Sequence, residues 1–196
     1  MIELPLIDPP QGPRERADAA RNRARILEAA GALVAEQGID CVSMDAVARA
    51  ASVGTGTLYR RFGDRAGLAF ALLDEHTRDF QNALISGPPP LGPGAPARER
   101  LKAFGAGYLE LLEEHADLMV AAAPTPRDAE AVFALYTTHL AILLREAAPM
   151  LDPQFTAEAL LATFGAAHHL RVRHGLGWPV ERLREGWYAL VDSIAA

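Results

Sequence analysis

An all-α fold in two parts is the expectation from three observations. The 196 residues are alanine-rich and 50% hydrophobic, which suits helices with a substantial core. Apolar residues recur at helical spacing from Asp18 onward, and β-branched runs with period-two alternation are absent. A run of prolines and glycines from Gly87 to Pro96 interrupts the helical pattern and reads as an exposed connector that splits the chain.

Taken in order, Asp18 to Gln37 places Ile26, Ala30, Leu33, Val34 and Gln37 on one face, and Gly38 stands where a helix ends. Ser43 reads as the N-cap of a short helix, Met44 to Ala51, whose apolar positions are Met44, Val47, Ala48 and Ala51. After Ser52, Val53 and Gly54 a third helix covers Thr55 to Phe62, and Asp64 caps a fourth, Arg65 to Ser86. Beyond the connector, helices are expected at Ala97 to His115, Ala116 to Ala122, Arg127 to Ala148, Gln154 to His174 and Val180 to Ala195. The expected domains are an arm (1–17), an N-terminal three-helix unit (18–64), a connecting helix (65–86), the linker (87–96) and a C-terminal helical domain (97–196).

Composition excludes several classes. With 25 acidic and 19 basic residues the net charge is -6, unlike a polybasic binder of nucleic acid or membranes. Cys41 is the only cysteine, so no internal disulfide or multi-cysteine zinc site can form; it reads as a small apolar residue. The first residues contain Pro5, Pro9, Pro10 and Pro13 and no apolar core of a signal peptide. The longest apolar-looking run, Phe133 to Leu144, falls well short of the roughly 20 residues that span a bilayer. A soluble cytoplasmic protein with no membrane partner is expected.

The segment from Ser43 to Leu68, SMDAVARAASVGTGTLYRRFGDRAGL, carries the chemistry. Two short helices around a three-residue turn, with small Ala48 at their crossing, have the dimensions of a helix-turn-helix. In the third helix Leu58 and Phe62 share the inner face, while Gly56, Thr57 and Arg60 face away. That outer face is short, polar and rich in donors, as a helix entering a major groove must be.

This segment resembles the DNA-binding domain of the tetracycline-repressor (TetR) family of bacterial regulators. The family pattern is close to T-V-x-x-I-A-x-x-A followed by G-V-S-x-G-T-L-Y-x-H-F-x-x-K-x-x-L. Ser43 holds the cap, Val47 and Ala48 the I-A pair, and Gly56, Thr57, Leu58, Tyr59, Phe62 and Leu68 match directly. Arg65 stands for the lysine. The stretch from Arg25 to Ala30, with Gly38, matches the family's first helix, so the resemblance covers about Arg21 to Leu73. Three positions depart from it: Ser52 replaces the turn glycine, Gly54 the capping serine and Arg61 the frequent histidine.

The resemblance implies a site for double-stranded operator DNA. Backbone N–H groups near Ser43 and Gly54 to Gly56, with the Ser43 hydroxyl, would bind phosphate, and Gly56 would allow close approach. Tyr59 would reach a phosphate, with half-buried packing as its other reading; Thr57 and Arg61 would sit near the backbone, and Arg65 would hold a further phosphate. Base readout would fall to Thr55 and Arg60, whose guanidinium can pair bidentately with guanine. Arg14, Arg16, Arg21, Arg23 and Arg25 have two readings, a minor-groove arm or incidental charge.

For the C-terminal half the resemblance implies a small-molecule pocket and homodimerisation through the last two long helices. The candidate pocket residues are Phe104, Tyr108, Leu112, Met119, Phe133, Tyr136, His139, Phe164 and His168, each of which also fits an ordinary core. The candidate dimer contacts are Leu160, Leu161, Phe164, Trp187, Leu190 and Val191. Catalysis is not expected: His168, His169 and His174 lack metal-ligand spacing, no nucleophile motif occurs, and no phosphate loop or dinucleotide fingerprint announces a cofactor. The reading is therefore a ligand-released homodimeric repressor; the alternative is an architectural DNA-binding dimer without a pocket. Charge supports the division, at about +2 for Arg14 to Arg65 and about -6 for Ala66 to Ala196.

Overall fold

The computed structural model describes residues 13–122 and 126–195. All regular structure among them is helical, in the order α1 (Pro13–Gln37), a 3-10 turn (Ile39–Cys41), α2 (Met44–Ala50), α3 (Thr55–Phe62), α4 (Arg65–Ser86), α5 (Ala97–Ala121), α6 (Pro126–Ala147), α7 (Pro153–Ala162), α8 (Ala166–Leu170), a π turn (Arg171–Gly175) and α9 (Val180–Ile194). None of the described helices is long and apolar enough to cross a membrane. The chain divides into two compact units, Met1–Arg61 and Phe62–Ala196.

In the first unit α1 begins at Pro13, so residues 13–17 of the expected arm are helical, while residues 1–12 lie outside the described residues. The helix ends where Gly38, at φ 76°, returns its N–H to the Val34 carbonyl, a left-handed position that glycine occupies without strain. Ile26, Leu27 and Ala30 of α1 and Met44, Val47 and Ala48 of α2 are buried. Ser43 caps α2, its hydroxyl accepting the Ala46 N–H at 3.2 Å. Cys41, expected to be an ordinary apolar residue, is exposed.

The turn from α2 to α3 closes as a Schellman motif. The Ser52 N–H bonds to the Arg49 carbonyl at 3.1 Å and the Val53 N–H to the Ala48 carbonyl at 2.9 Å. Ser52 sits at φ 53°, a left-handed position that costs a residue with a Cβ about 1 kcal/mol. The departure from the turn glycine is thus accommodated without changing the backbone.

The second unit runs from Phe62 to Ala196. Asp64 caps α4 through the Gly67 N–H at 2.9 Å. A Cβ at Gly67 would lie 2.0 Å from the Phe62 carbonyl oxygen, so only glycine fits this tight entry. The segment 87–96 is a compact turn: the Gly92 N–H bonds to the Pro88 carbonyl, Leu91 packs on the core, and α4 and α5 lie against each other. The two helices expected at 97–115 and 116–122 are one, α5, since no Gly or Pro separates them.

The core of this unit is aromatic. Phe104 of α5 lies at its centre, with ring centroids 5.7 Å from Phe80, 5.8 Å from Tyr136 and 6.2 Å from Phe164. Trp187 of α9 lies over Gly105 of α5 and donates its indole N–H to the Leu101 carbonyl at 3.0 Å. The long helix expected over Gln154 to His174 is broken. Thr163 caps α7, a new helix starts after Gly165, and the last turn opens into a π turn. The π turn is held from α5: Glu113 accepts from Arg173 at 2.6 and 2.7 Å and lies 2.7 Å from the His169 ring nitrogen. Hydrogen bonding from Arg173 holds the Glu113 carboxyl below its ordinary range, outweighing its partial burial.

Candidate nucleic-acid interface and ligand cavity

The first candidate site is the outer surface of α3. Leu58, fully buried, fixes one side of the helix, so the residues out of phase with it must face solvent. Thr55, Gly56, Tyr59, Arg60 and Arg61 are exposed, as are Ser43 and Gly54, while Thr57 is half-buried. Tyr59 exposes 49% of its surface, more than a packing tyrosine would. A Cβ at Gly54 or Gly56 would meet nothing within 4 Å. The chain's own packing therefore places no demand for glycine at either position.

Arg61, expected near the DNA backbone, is exposed and also makes a contact within the unit. Its guanidinium donates to the Ala19 carbonyl of α1, so at least one N–H ties α3 to α1 within the unit. Arg65 begins α4 and is exposed, with an interaction of its own. The Ser43 hydroxyl acts as an acceptor in the cap, which does not use its O–H donor.

The second candidate site is a cavity of about 400 Å³ inside the second unit, lined from α4, α5, α6, α7 and α8. Five of the expected pocket residues line it: Tyr108, Met119, Phe133, Tyr136 and Phe164. Burial pushes the Tyr108 and Tyr136 phenols up from their ordinary range, so both rings stay neutral near pH 7. Phe104 and Leu112 do not line it; they lie beneath it, at 0% and 1% exposure, as solid core. His139 stacks on Phe104 at 6.0 Å, and burial, with the Arg100 charge, lowers its pKa to about 4. His168 faces a separate, smaller hollow of about 180 Å³ beside Trp187 and Leu190.

Sequence reasoning missed the α4 wall, Phe70, Leu73, Asp74 and Thr77, by treating α4 as a connector. Four residues spaced over two turns on one face were the available signal. Glu158 of α7 was missed too. It lines the cavity, and its carboxylate accepts a hydrogen bond from the buried Thr137 hydroxyl at 2.9 Å.

The expected dimer contacts differ in burial within the single chain. Leu160, Leu161, Phe164, Trp187 and Val191 belong to the chain's own core, Val191 with no exposed surface. Leu190 is 38% exposed and the other five are at most 6% exposed. Apolar periodicity marked an inward face correctly and could not say which molecule would cover it.

Residues 26–72 match the family model described as bacterial regulatory proteins, tetR family. An HTH-type transcriptional regulator of Staphylococcus aureus is 40% identical over 65 residues, which are 33% of this chain and 35% of that relative. The match thus spans only 35% of the relative's length. Among solved structures, a TetR-family transcriptional regulator from Rhodococcus sp. aligns with a TM-score of 0.65 at 26% identity, over 90% of this chain and all of its own. The fatty acid degradation regulator FadR from Bacillus halodurans aligns with a TM-score of 0.62 at 20% identity, over 86% and 96% of the two chains, a likeness of fold alone.

Proposed function

We propose that this chain, whose residues 26–72 match the family model of the tetR regulators, is a TetR-family homodimeric transcriptional repressor, released from a palindromic operator when a small molecule fills the cavity of its second unit. The observation that carries the reading is the exposed face of α3, where Gly56 is required by nothing inside the chain while Tyr59 and Arg60 stand free to solvent around it. A helix whose backbone must approach another molecule closely has a reason for glycine that its own fold lacks. Thr55 and Arg60 then read bases, while Ser43, Tyr59 and Arg65 hold phosphates.

Dimerisation supplies the two-fold symmetry that a palindrome demands, with half-sites set by the separation of the two recognition helices. The second unit supplies sensing. Its α4 contributes Phe70, Leu73, Asp74 and Thr77 to the cavity wall and is joined to α3 by only Gly63 and Asp64. A ligand that prefers one position of α4 thereby biases the spacing of the recognition helices. The architectural alternative calls for a solid second unit, and a cavity of about 400 Å³ speaks against it.

The DNA assignment is tested on duplexes selected from a random pool by the full chain. Arg60→Ala is expected to relax preference at one base pair per half-site by about 1 to 3 kcal/mol, with the fold unchanged by thermal melting. An Arg60→Ala variant that selects the parent's sequence with the parent's affinity means that α3 is not the reading helix.

A further inference from the structure

We propose that the cavity of the second unit takes a lipophilic monovalent cation, an ammonium-type head carried on an apolar body; this rests on the reading of the cavity as the effector site. Two carboxylates, Asp74 and Glu158, contribute to the lining, and among the described residues no lysine, arginine or histidine does. Asp74 is partly balanced by Arg78 one turn along α4, at 2.8 Å. Glu158 is held instead by the neutral Thr137 hydroxyl, and among the described residues no cationic side chain pairs with it.

The Thr137 bond also fixes where that charge sits. Thr137 is 2% exposed, so its hydroxyl is held by packing and pins the Glu158 carboxylate on the cavity side of α7. Glu158 itself is exposed. A head group beside it keeps part of its hydration while the body enters the apolar interior, which lowers the desolvation cost of binding a charge.

The interior suits such a body. Phe70, Tyr108, Tyr136 and Phe164 present ring faces and edges, and Met119 adds a polarisable, adaptable side chain. Ring faces attract cations through their quadrupole, so the aromatic walls and the carboxylates favour the same sign of charge. An anionic amphiphile meets the opposite situation: carboxylate against carboxylate, with no cation among the described lining residues to offset it. A neutral apolar ligand would cover Glu158 without compensating its charge.

The test is calorimetric titration of the full chain with three probes of equal chain length, dodecyltrimethylammonium, dodecanol and dodecanoate, all below their aggregation concentrations. The cation is expected to bind at least about tenfold more tightly than the alcohol, with dodecanoate weakest. In Glu158→Gln the cation should lose about fivefold or more while dodecanol changes by less than about twofold, and the variant should melt like the parent because Glu158 is exposed. Dodecanoate binding as tightly as the cation, or a Glu158→Gln variant that keeps full affinity for the cation, overturns the proposal. The same probes separate it from the reading beneath it. Equal binding of all three, with release from the operator, overturns the charge preference and leaves the effector site standing. Preferential cation binding with no change in operator affinity upholds the charge preference and removes the repressor reading.

Discussion

Gly105→Ala is expected to destabilise the second unit by about 3 kcal/mol. An added Cβ at this position would lie 2.1 Å from the Trp187 Nε1, 2.2 Å from its Cε2 and 2.4 Å from its Cδ1. Relief requires the indole to move off α5. Trp187 is 5% exposed, packs at 4.8 Å on Phe164 and donates its N–H to the Leu101 carbonyl, so displacement breaks a buried hydrogen bond as well as a close ring contact. Gly186 on the facing helix α9 provides the control. A Cβ there would meet nothing within 4 Å, and Gly186→Ala should stabilise the unit by up to about 1 kcal/mol through helix propensity alone. Denaturant unfolding of the two variants reads both effects; similar stabilities would mean that Trp187 does not lie on Gly105.

Gly56→Leu is expected to separate folding from function in the other unit. Since a side chain at Gly56 meets open space, the variant should melt at or above the parent's temperature. On selected operator it should bind at least about 100-fold more weakly, close to 3 kcal/mol, because leucine keeps the helix backbone away from the phosphates and base edges. Normal operator binding by a stable Gly56→Leu would remove the main observation behind the DNA interface.

Much of the fold was legible because its boundaries are written in local chemistry. Gly38 ends α1, Ser43 caps α2 and Asp64 caps α4 as their residue types demand. The break between α7 and α8 was not legible. The stretch from Gln154 to His174 keeps helical periodicity, and Gly165 alone is a weak stop. What holds the π turn is distant: Glu113, 56 residues before His169 and 60 before Arg173, engages both. The compactness of the connector was not legible either, since a Pro-rich sequence forbids a helix without forbidding a compact turn.

The candidate sites divide along the same line. On α3 the exposed face follows from helical phase around Leu58, whereas the contact of Arg61 with a carbonyl in α1 is one that phase cannot reveal. In the second unit, apolar stripes indicated which side chains point inward. They could not distinguish cavity wall, as for Tyr136, from solid core, as for Phe104, or from a surface shared with a second copy. Packing between helices decides that, and of the expected dimer contacts it leaves Leu190 the most exposed within the single chain.

The central claim is a coupling between cavity and operator, and linkage makes it measurable from either side. The direct measurement is the affinity of the full chain for its selected operator duplex, without and with a saturating cavity ligand identified by calorimetry. Occupancy is expected to weaken operator binding by at least about tenfold, near 1.4 kcal/mol, and saturating operator to weaken ligand binding by the same factor. Operator affinity that stays the same with the cavity filled would contradict the account.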